Sequence, residues 1–568
     1  MKNQIVAKIL YEIADLLELK GVEFKPYAYR RAAQTVESLS KDIEEVYKEG
    51  KLEDLPGIGK NIAKKISEII ETGSLKYYED LKKDMPIDFE ALLSVEGLGP
   101  KKVKTLYKKL KIRNLDDLEK AAKSGKIKNL PGFGEKTERE ILENIEFARK
   151  SKERMLLGYA LPIADEIENR LKRLKEIKKI SVAGSLRRMK ETIGDLDILI
   201  VSTNPSKVMD FFTKMNDVQD ILAKGPTKSS IRLKSGLQVD IRVVDEKSFG
   251  SALLYFTGSK EHNIALRKIA IEKKMKLSEY GLFKGNIQIA GKTEEEVYKR
   301  LGMDFIEPEM RENSGEIDAA MKHSLPKLIN YNDIKGDLQI HSKWSDGSNS
   351  IEEIALQAKK IGYEYICITD HTGTLKIAHG LDEKKIEKQM KEIESINKKI
   401  DGIKILCGAE VNIKADGSLD IKDDILKKLD IVIAAIHSGF KNDKRFMTNR
   451  ILKAMENRYV DIIAHPTGRM IQKRRAYDID IEKLFEKSKE TNTILEIDSQ
   501  PDRLDLNDIN ARAAIEYGCK LVINTDAHNI DHLRFMRLGI ATARRAWAQK
   551  KDIINTNSLN KLLKFFEK

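Results

Sequence analysis

Residues 194–201 read GDLDILIV, with Asp195 and Asp197 two apart in a run that is otherwise apolar. Such a run predicts a strand, and residues two apart in a strand leave the same face of the sheet, roughly 7 Å from one another along the chain. That spacing suits shared ligation of a divalent metal. A third acid, Asp240, sits in the run SGLQVDIRVV at 235–244, and pairing of the two runs as neighbours would carry it to the same face. Three carboxylates on one face repel unless cations lie between them. Just upstream, KKISVAGS ends in Gly184 and Ser185 and leads to Arg187 and Arg188. A Gly-Ser turn supplies backbone N–H and hydroxyl donors, and arginine a two-pronged clamp for phosphate oxygens. Acids, turn and arginines together read as a two-metal site for phosphoryl or nucleotidyl transfer, carried on a small mixed sheet.

N-terminal to this sheet, the first 150 residues show helical periodicity broken three times by similar turns: LPGIGK at 55–60, VEGLGPKK at 95–102 and LPGFGEK at 130–136. Each places a glycine pair (Gly57 and Gly59, Gly97 and Gly99, Gly132 and Gly134) before a helix and a lysine (Lys60, Lys101, Lys136) in its first turn. Backbone N–H groups at such a turn point outward, and glycine lets a phosphate approach them. Three copies predict a sequence-independent grip on a nucleic-acid backbone. The net charge of +13 is uneven: residues 1–100 carry about −4 and residues 101–290 about +16, so the basic middle is where a polyanion is expected.

C-terminal to residue 335, the apolar runs DLQI, YICIT, IKILCGAE, DIVIAAI, DIIA, TILEID and KLVINT alternate with helical segments. Seven strands separated by helices predict a parallel (βα)-type barrel, in which functional residues collect at the strand C-terminal ends. Of nine histidines in the chain, His341, His371, His437, His465 and His528 fall at five predicted strand ends, with Asp346, Glu410 and Asp526 in equivalent places. This nitrogen and oxygen set suits Zn²⁺, Mn²⁺ or Fe²⁺. His262, His323, His379 and His532 lack that placement and read as surface or packing residues. Three cysteines, Cys367, Cys407 and Cys519, form no CxxC, which fits core packing in a reducing compartment. At 568 residues the chain holds three to five modules, and 41% hydrophobic with 34% charged residues excludes a disordered or collagen-like chain. No apolar run approaches a bilayer span, so a cytoplasmic location is expected.

In order and spacing, GSLRR, GDLD, VDIR and YFTGSKEHN over residues 1 to about 318 resemble family X DNA polymerases, the group containing DNA polymerase beta. The resemblance implies Asp195 and Asp197 as ligands to two Mg²⁺ or Mn²⁺ ions, with Asp240 completing the catalytic metal site beside the primer 3′-hydroxyl. It implies Gly184, Ser185 and Arg188 at the incoming triphosphate, Tyr255, Phe256 and Gly258 near the sugar, Asn263 at the minor-groove edge and Arg267 toward the template. Lys260 departs from the acid that packs on the incoming base in polymerase beta. FKPYAYRRAA followed by LPGIGKNIAKKI resembles that family's 5′-phosphate-binding and deoxyribose-phosphate lyase domain. This aligns Lys65 with the Schiff-base lysine and Lys25 and Tyr29 with phosphate-side residues; Asn61 replaces one lysine, and contact of Lys65 with backbone phosphate stands as an equal reading.

DLQIHSKWSDG, ITDH, GAEVNI, IHSGF, AHPTG and NTDAH resemble the polymerase and histidinol phosphatase (PHP) domain, a metallophosphoesterase barrel. Its usual opening His-x-His reads Gln339-x-His341 here. Lys473, Arg474 and Arg475 follow the AHPTG motif, either as guides for DNA or as a solvated loop. The expected fold is multidomain: all-α helix-hairpin-helix modules (1–90 lyase-like, 91–150 fingers), an α+β nucleotidyltransferase palm (151–245) and thumb (246–318), a linker (319–334), and an α/β distorted (βα)7 barrel (335–568). The implied function is gap filling in base excision repair on gapped or nicked duplex DNA with a 5′-phosphate, using deoxynucleoside triphosphates. With it go 3′–5′ exonuclease or 3′-end phosphoesterase activity and a possible abasic-site endonuclease or lyase activity, in a monomer without membrane contact. Two alternatives stand beside it: a nuclease with a vestigial polymerase site, and a non-catalytic DNA-end scaffold.

Overall fold

The alternation of GDLDILIV and its neighbours produces a five-stranded mixed sheet in the computed structural model. The model describes residues 2–37, 39, 42–84, 87–93, 95, 98–152, 154–373 and 378–567. The strands run in the order Ile177–Val182, Asp195–Ser202, Gln238–Val243, Lys228–Leu233, Val218–Lys224. Only the pair Asp195–Ser202 and Gln238–Val243 is parallel, and its register sets Asp197 opposite Asp240. Leu196, Ile198 and Ile200 alternate with the acids and enter the core, which fixes the face the carboxylates must take.

The helices of the first 150 residues surround one apolar core. Gly59 caps the helix Lys60–Thr72 and Gly99 the helix Pro100–Leu110, both in extended backbone, and the helix Glu135–Lys152 follows Gly134. Gly57 and Gly132 hold positive φ (79° and 81°), the left-handed geometry such turns need. Space is open where a Cβ would stand on Gly59, Gly99, Gly132 and Gly134. Gly97 lies outside the described residues.

After the sheet, the helices Phe249–Thr257 and Lys260–Glu272 lead to a three-stranded antiparallel sheet over 276–290 and the helix Glu294–Arg300, around a separate core. Residues 319–334, expected as a linker, are fastened down: Ile329 and Ile334 enter the barrel core and Leu328 pairs with Gln549.

Seven parallel strands then follow in sequential order: Gly336–Ile340, Tyr365–Ile368, Lys404–Asn412, Ile431–Ala435, Ile462–Ile463, Ile494–Asp498 and Leu521–Asn524. A bridge from Ile340 to Ala527 brings first and last strands together, giving a nearly closed barrel. Nearly every residue in these strands is buried, as expected of strands covered on both faces. Four barrel side chains, Ile471, Leu504, Phe535 and Leu538, leave the barrel and complete the core of the five-stranded sheet. Among the described residues no helix is long and apolar enough to cross a membrane.

Candidate active sites

The first site is the polar face of the mixed sheet. Asp195 is exposed, while Asp197 and Asp240 are half-buried. Burial, then the neighbouring Asp195 and Asp240, push the Asp197 carboxyl up to about 7. Arg242 and Lys228 offset this only in part. Gly184 lies so close that a Cβ would stand 2.7 Å from Asp197 Oδ2, and its φ of 65° is one a side chain rarely adopts. The Ala183 N–H donates to the Asp197 carbonyl (2.8 Å), so the Gly-Ser turn and the acids form one rigid piece. Ser185 opens from that turn, half-buried.

Arg187 and Arg188 part company. Arg187 donates to the Thr257 hydroxyl (2.7 Å) and forks onto buried Glu294 (2.9 and 2.6 Å), which also accepts from buried Arg311 (2.6 Å). Arg188 donates through Nε to Glu312 (3.0 Å) and through Nη1 to the Thr257 carbonyl, next to Gly258. Tyr255 and Phe256 meet edge to face at 5.1 Å. Asn263 Nδ2 donates to the Tyr255 carbonyl (2.7 Å), and Arg267 Nε to the Asn263 carbonyl (3.3 Å). These contacts join Arg188, Tyr255, Phe256, Asn263 and Arg267 into one segment, with Lys260 exposed. Arg242 was not anticipated: it stacks on Phe256 at 4.7 Å and its charge lowers the Asp197 carboxyl. Its place two residues after Asp240 in VDIR, on the same face, was the available signal.

In the N-terminal helices, Lys65 Nζ sits over the Tyr77 ring at 4.9 Å and donates to the Asn61 carbonyl (3.4 Å). Burial, then Tyr77, push the Tyr29 hydroxyl up to about 12, placing Tyr29, Tyr77 and Lys65 in one neighbourhood. Lys25, exposed, begins the helix that carries Tyr29.

The second site lies at the barrel mouth. Its centre is Glu410, only 1% exposed, with His371 Nδ1 at 3.0 Å, His437 Nε2 at 3.1 Å, His465 Nε2 at 3.2 Å and His341 Nε2 at 3.4 Å. Three overlapping groups have ligand atoms within 4.8 Å of one another: His341, Asp346, His371 and His528; His371, Glu410 and His437; His341, Glu410 and Asp526. All eight sequence-derived residues are therefore gathered. Buried His341 Nδ1 and Nε2, His371 Nδ1 and Glu410 Oε2 make no hydrogen bond, as ligand atoms aimed at an ion would be. The donor set and these orphaned atoms fit divalent metals. Burial works against charge on His528, but Asp346 and Asp526 outweigh it and raise the imidazole to about 9. Glu410 is held well below the carboxylate range by His371 and His437 despite its burial.

Gln339 is fully buried beside this cluster, and its carboxamide nitrogen is best placed donating to Glu496 (3.2 Å to Oε2). Glu496 in turn accepts from the His465 N–H and from Asn524 (both 2.8 Å). Arg503 reaches the same corner, 3.4 Å from Asp498 and 3.9 Å from Asp526. Asp370, unremarked in the sequence beside His371, is buried and accepts from the Ser342 N–H (2.7 Å) and hydroxyl (2.6 Å), from Ser345 and from Gln389. It locks the loop that carries His341 and Asp346. Of the expected non-ligand histidines, His262 is buried against Glu316 (2.7 Å) and Tyr298 (2.9 Å), a packing role. His532 contacts Gln500, and burial depresses it to about 4.

Residues 1–75 match the helix-hairpin-helix domain family, 89–146 the SAM-like helix-hairpin-helix tandem, 252–312 the DNA polymerase beta thumb and 337–500 the PHP domain. The chain is 41% identical over 574 residues to the DNA polymerase/3′-5′ exonuclease PolX of Bacillus subtilis (strain 168), covering all of both chains. It is 37% identical over 190 residues to a probable phosphatase of Thermoanaerobacter sp. (strain X514), 32% of this chain and 73% of that protein. It is 25% identical over 347 residues to DNA polymerase lambda of Rattus norvegicus, 55% and 56% of the two chains. With the carboxylate sheet, thumb, helix-hairpin-helix turns and histidine-lined barrel in one chain, and full-length similarity to PolX, the protein belongs to the family X DNA polymerases that carry a C-terminal PHP domain.

Proposed function

We propose that this chain fills short gaps in duplex DNA during repair at the mixed sheet and trims or dephosphorylates 3′ ends at the barrel. The observation that carries the reading is the parallel register of Asp197 with Asp240 beside the Gly184 turn. Asp195, Asp197 and Asp240 would hold Mg²⁺ or Mn²⁺, which when bound supplies charge neutralisation at the triphosphate. Ser185 and Arg188 grip phosphate oxygens, Asn263 and Tyr255 shape the pocket of the nascent pair, and Arg267 faces the template. At the barrel mouth, Glu410 with the five histidines, Asp346 and Asp526 would hold Zn²⁺, Mn²⁺ or Fe²⁺, whose Lewis acidity activates water. The helix-hairpin-helix turns with Lys60, Lys101 and Lys136 grip backbone on either side of a gap, and Lys25, Tyr29 and Lys65 face its 5′-phosphate. The chain acts as a monomer in the cytoplasm, where such DNA lies.

The test is a 5′-labelled primer on a single-nucleotide gap with a downstream 5′-phosphate, with Mg²⁺ or Mn²⁺. Extension by one with deoxynucleotides and 3′ shortening without them are expected. Asp197→Ala abolishes extension, by about 10³-fold or more, and spares shortening, while His341→Ala does the reverse. Shortening without any extension in the wild type overturns the gap-filling reading.

A further inference from the structure

Arg545 is the last residue of the barrel helix Met536–Arg545, yet its guanidinium lies at the meeting point of sheet, thumb and barrel, with the side chain 5% exposed. It forks onto Asp508 of the barrel (2.9 and 2.6 Å), donates to Glu312 at the end of the thumb (3.1 Å) and donates to the Arg188 carbonyl (2.8 Å). The Glu312 oxygen it uses is the one that accepts from Arg188 Nε (3.0 Å), with Lys190 Nζ at 3.9 Å. Arg188 is thereby fixed at both ends. Its backbone is tied to Arg545, and its Nε and Nη1 are tied to Glu312 and the Thr257 carbonyl, while Nη2 donates to no described residue.

The charges decide what this does. Without Arg545, Glu312 would be left to Arg188, with Lys190 only at the edge of reach (3.9 Å), and would compete with any phosphate for the guanidinium. Arg545 supplies a second cation to the same oxygen, so the hold of Glu312 on Arg188 is shared, and part of the guanidinium stays available for an anion. Removing Arg545 would leave Glu312 to Arg188 and Lys190, and would leave Asp508 beside Lys190 without its main partner. It would also subtract one positive charge from the approach to the triphosphate.

We propose that Arg545 of the barrel is a positioning residue for the nucleotide site, holding Arg188 available to the incoming triphosphate by sharing Glu312 with it. The proposal rests on the gap-filling reading above. It makes the hydrolytic barrel a working part of the polymerase site.

The experiment uses the full chain on the gapped duplex with Mg²⁺ and varied deoxynucleoside triphosphate. Arg545→Ala is expected to raise the nucleotide KM about tenfold with kcat little changed, within the usual range for coupling between sites. Arg545→Lys recovers part of the loss. Combining Arg545→Ala with Glu312→Gln, which removes the carboxylate that Arg545 neutralises, restores KM toward wild type. A merely structural loosening of the seam would not be rescued by deleting a further hydrogen-bonding charge. Arg537→Ala, which breaks an exposed seam contact with Asp165 (3.3 Å), leaves KM unchanged. Should Arg545→Ala fail to fold, Arg545→Gln removes the charge on a similar stem and carries the same expectation. An unchanged KM in the charge-removing variant, or a double variant worse than the single, overturns the proposal alone. Equilibrium titration of the wild-type DNA complex with a non-hydrolysable triphosphate separates the two readings: no binding overturns the gap-filling reading and this proposal with it.

Discussion

Asp197 shows what one side chain carries. With burial and two neighbouring acids raising its carboxyl to about 7, the folded chain keeps the proton to higher pH than the unfolded chain, whose aspartate titrates near 3.8. The stability this carboxyl contributes is therefore full below about pH 4 and lost as pH rises through 7. In metal-free protein, thermal melts should fall in midpoint across that window, and Asp197→Asn should flatten the fall; identical pH profiles in the two proteins would refute the assignment. Mg²⁺ affinity should weaken on acidification below pH 7, because the proton and the metal compete for the same oxygens. Gln339 is the other decisive residue. Its amide serves Glu496, leaving His341, Glu410 and Asp526 as the donors at that corner of the cluster. Gln339→His adds a strong nitrogen donor there, and elemental analysis after dialysis should show more bound transition metal per chain than wild type retains.

At the scale of elements, the strand Asp195–Ser202 and the turn before it act as a unit. Only glycine combines the φ of residue 184 with the contact to Asp197. Gly184→Ala must push either the turn or the carboxylate, and a displacement of this kind costs about 10²-fold in the rate of extension while leaving 3′ shortening intact. Single-turnover extension measures it. The strands were readable from alternation because Leu196, Ile198 and Ile200 must be buried, which commits Asp195 and Asp197 to the opposite face. The barrel strands were readable from unbroken apolar runs between helices, and the five histidines from their position at the run ends. Over 319–334, expected as a linker, the local composition carries no sign that the Ile329 N–H reaches the Ala548 carbonyl or that Ile334 enters the barrel core.

For the whole molecule, sheet and barrel share a core. Ile471, Leu504, Phe535 and Leu538 pack with Leu157, Leu161 and Ile193, and Pro501 abuts Gly158 so closely that a Cβ there would stand 2.7 Å away. Arg469 meets Glu191 at 2.7 Å along the same seam. Burying each large apolar side chain is worth about 1.5–3 kcal/mol, so a chain cut after residue 334 should melt at lower temperature than the full protein and expose an apolar face. Dye binding and calorimetry on the truncated chain check this; an unchanged transition would mean the seam adds nothing. By itself the sequence determined the element types, the two sets of chemistry-bearing residues and the family. Those follow from local periodicity and from motifs whose spacing is set by one strand or turn. Only the tertiary structure decided that Arg187 serves Glu294 while Arg188 is held by Glu312 and the Thr257 carbonyl, that Gln339 turns toward Glu496, and that Arg545 reaches across to Glu312. These pairings join residues up to 233 positions apart, and their partners are selected by packing, which no local pattern encodes.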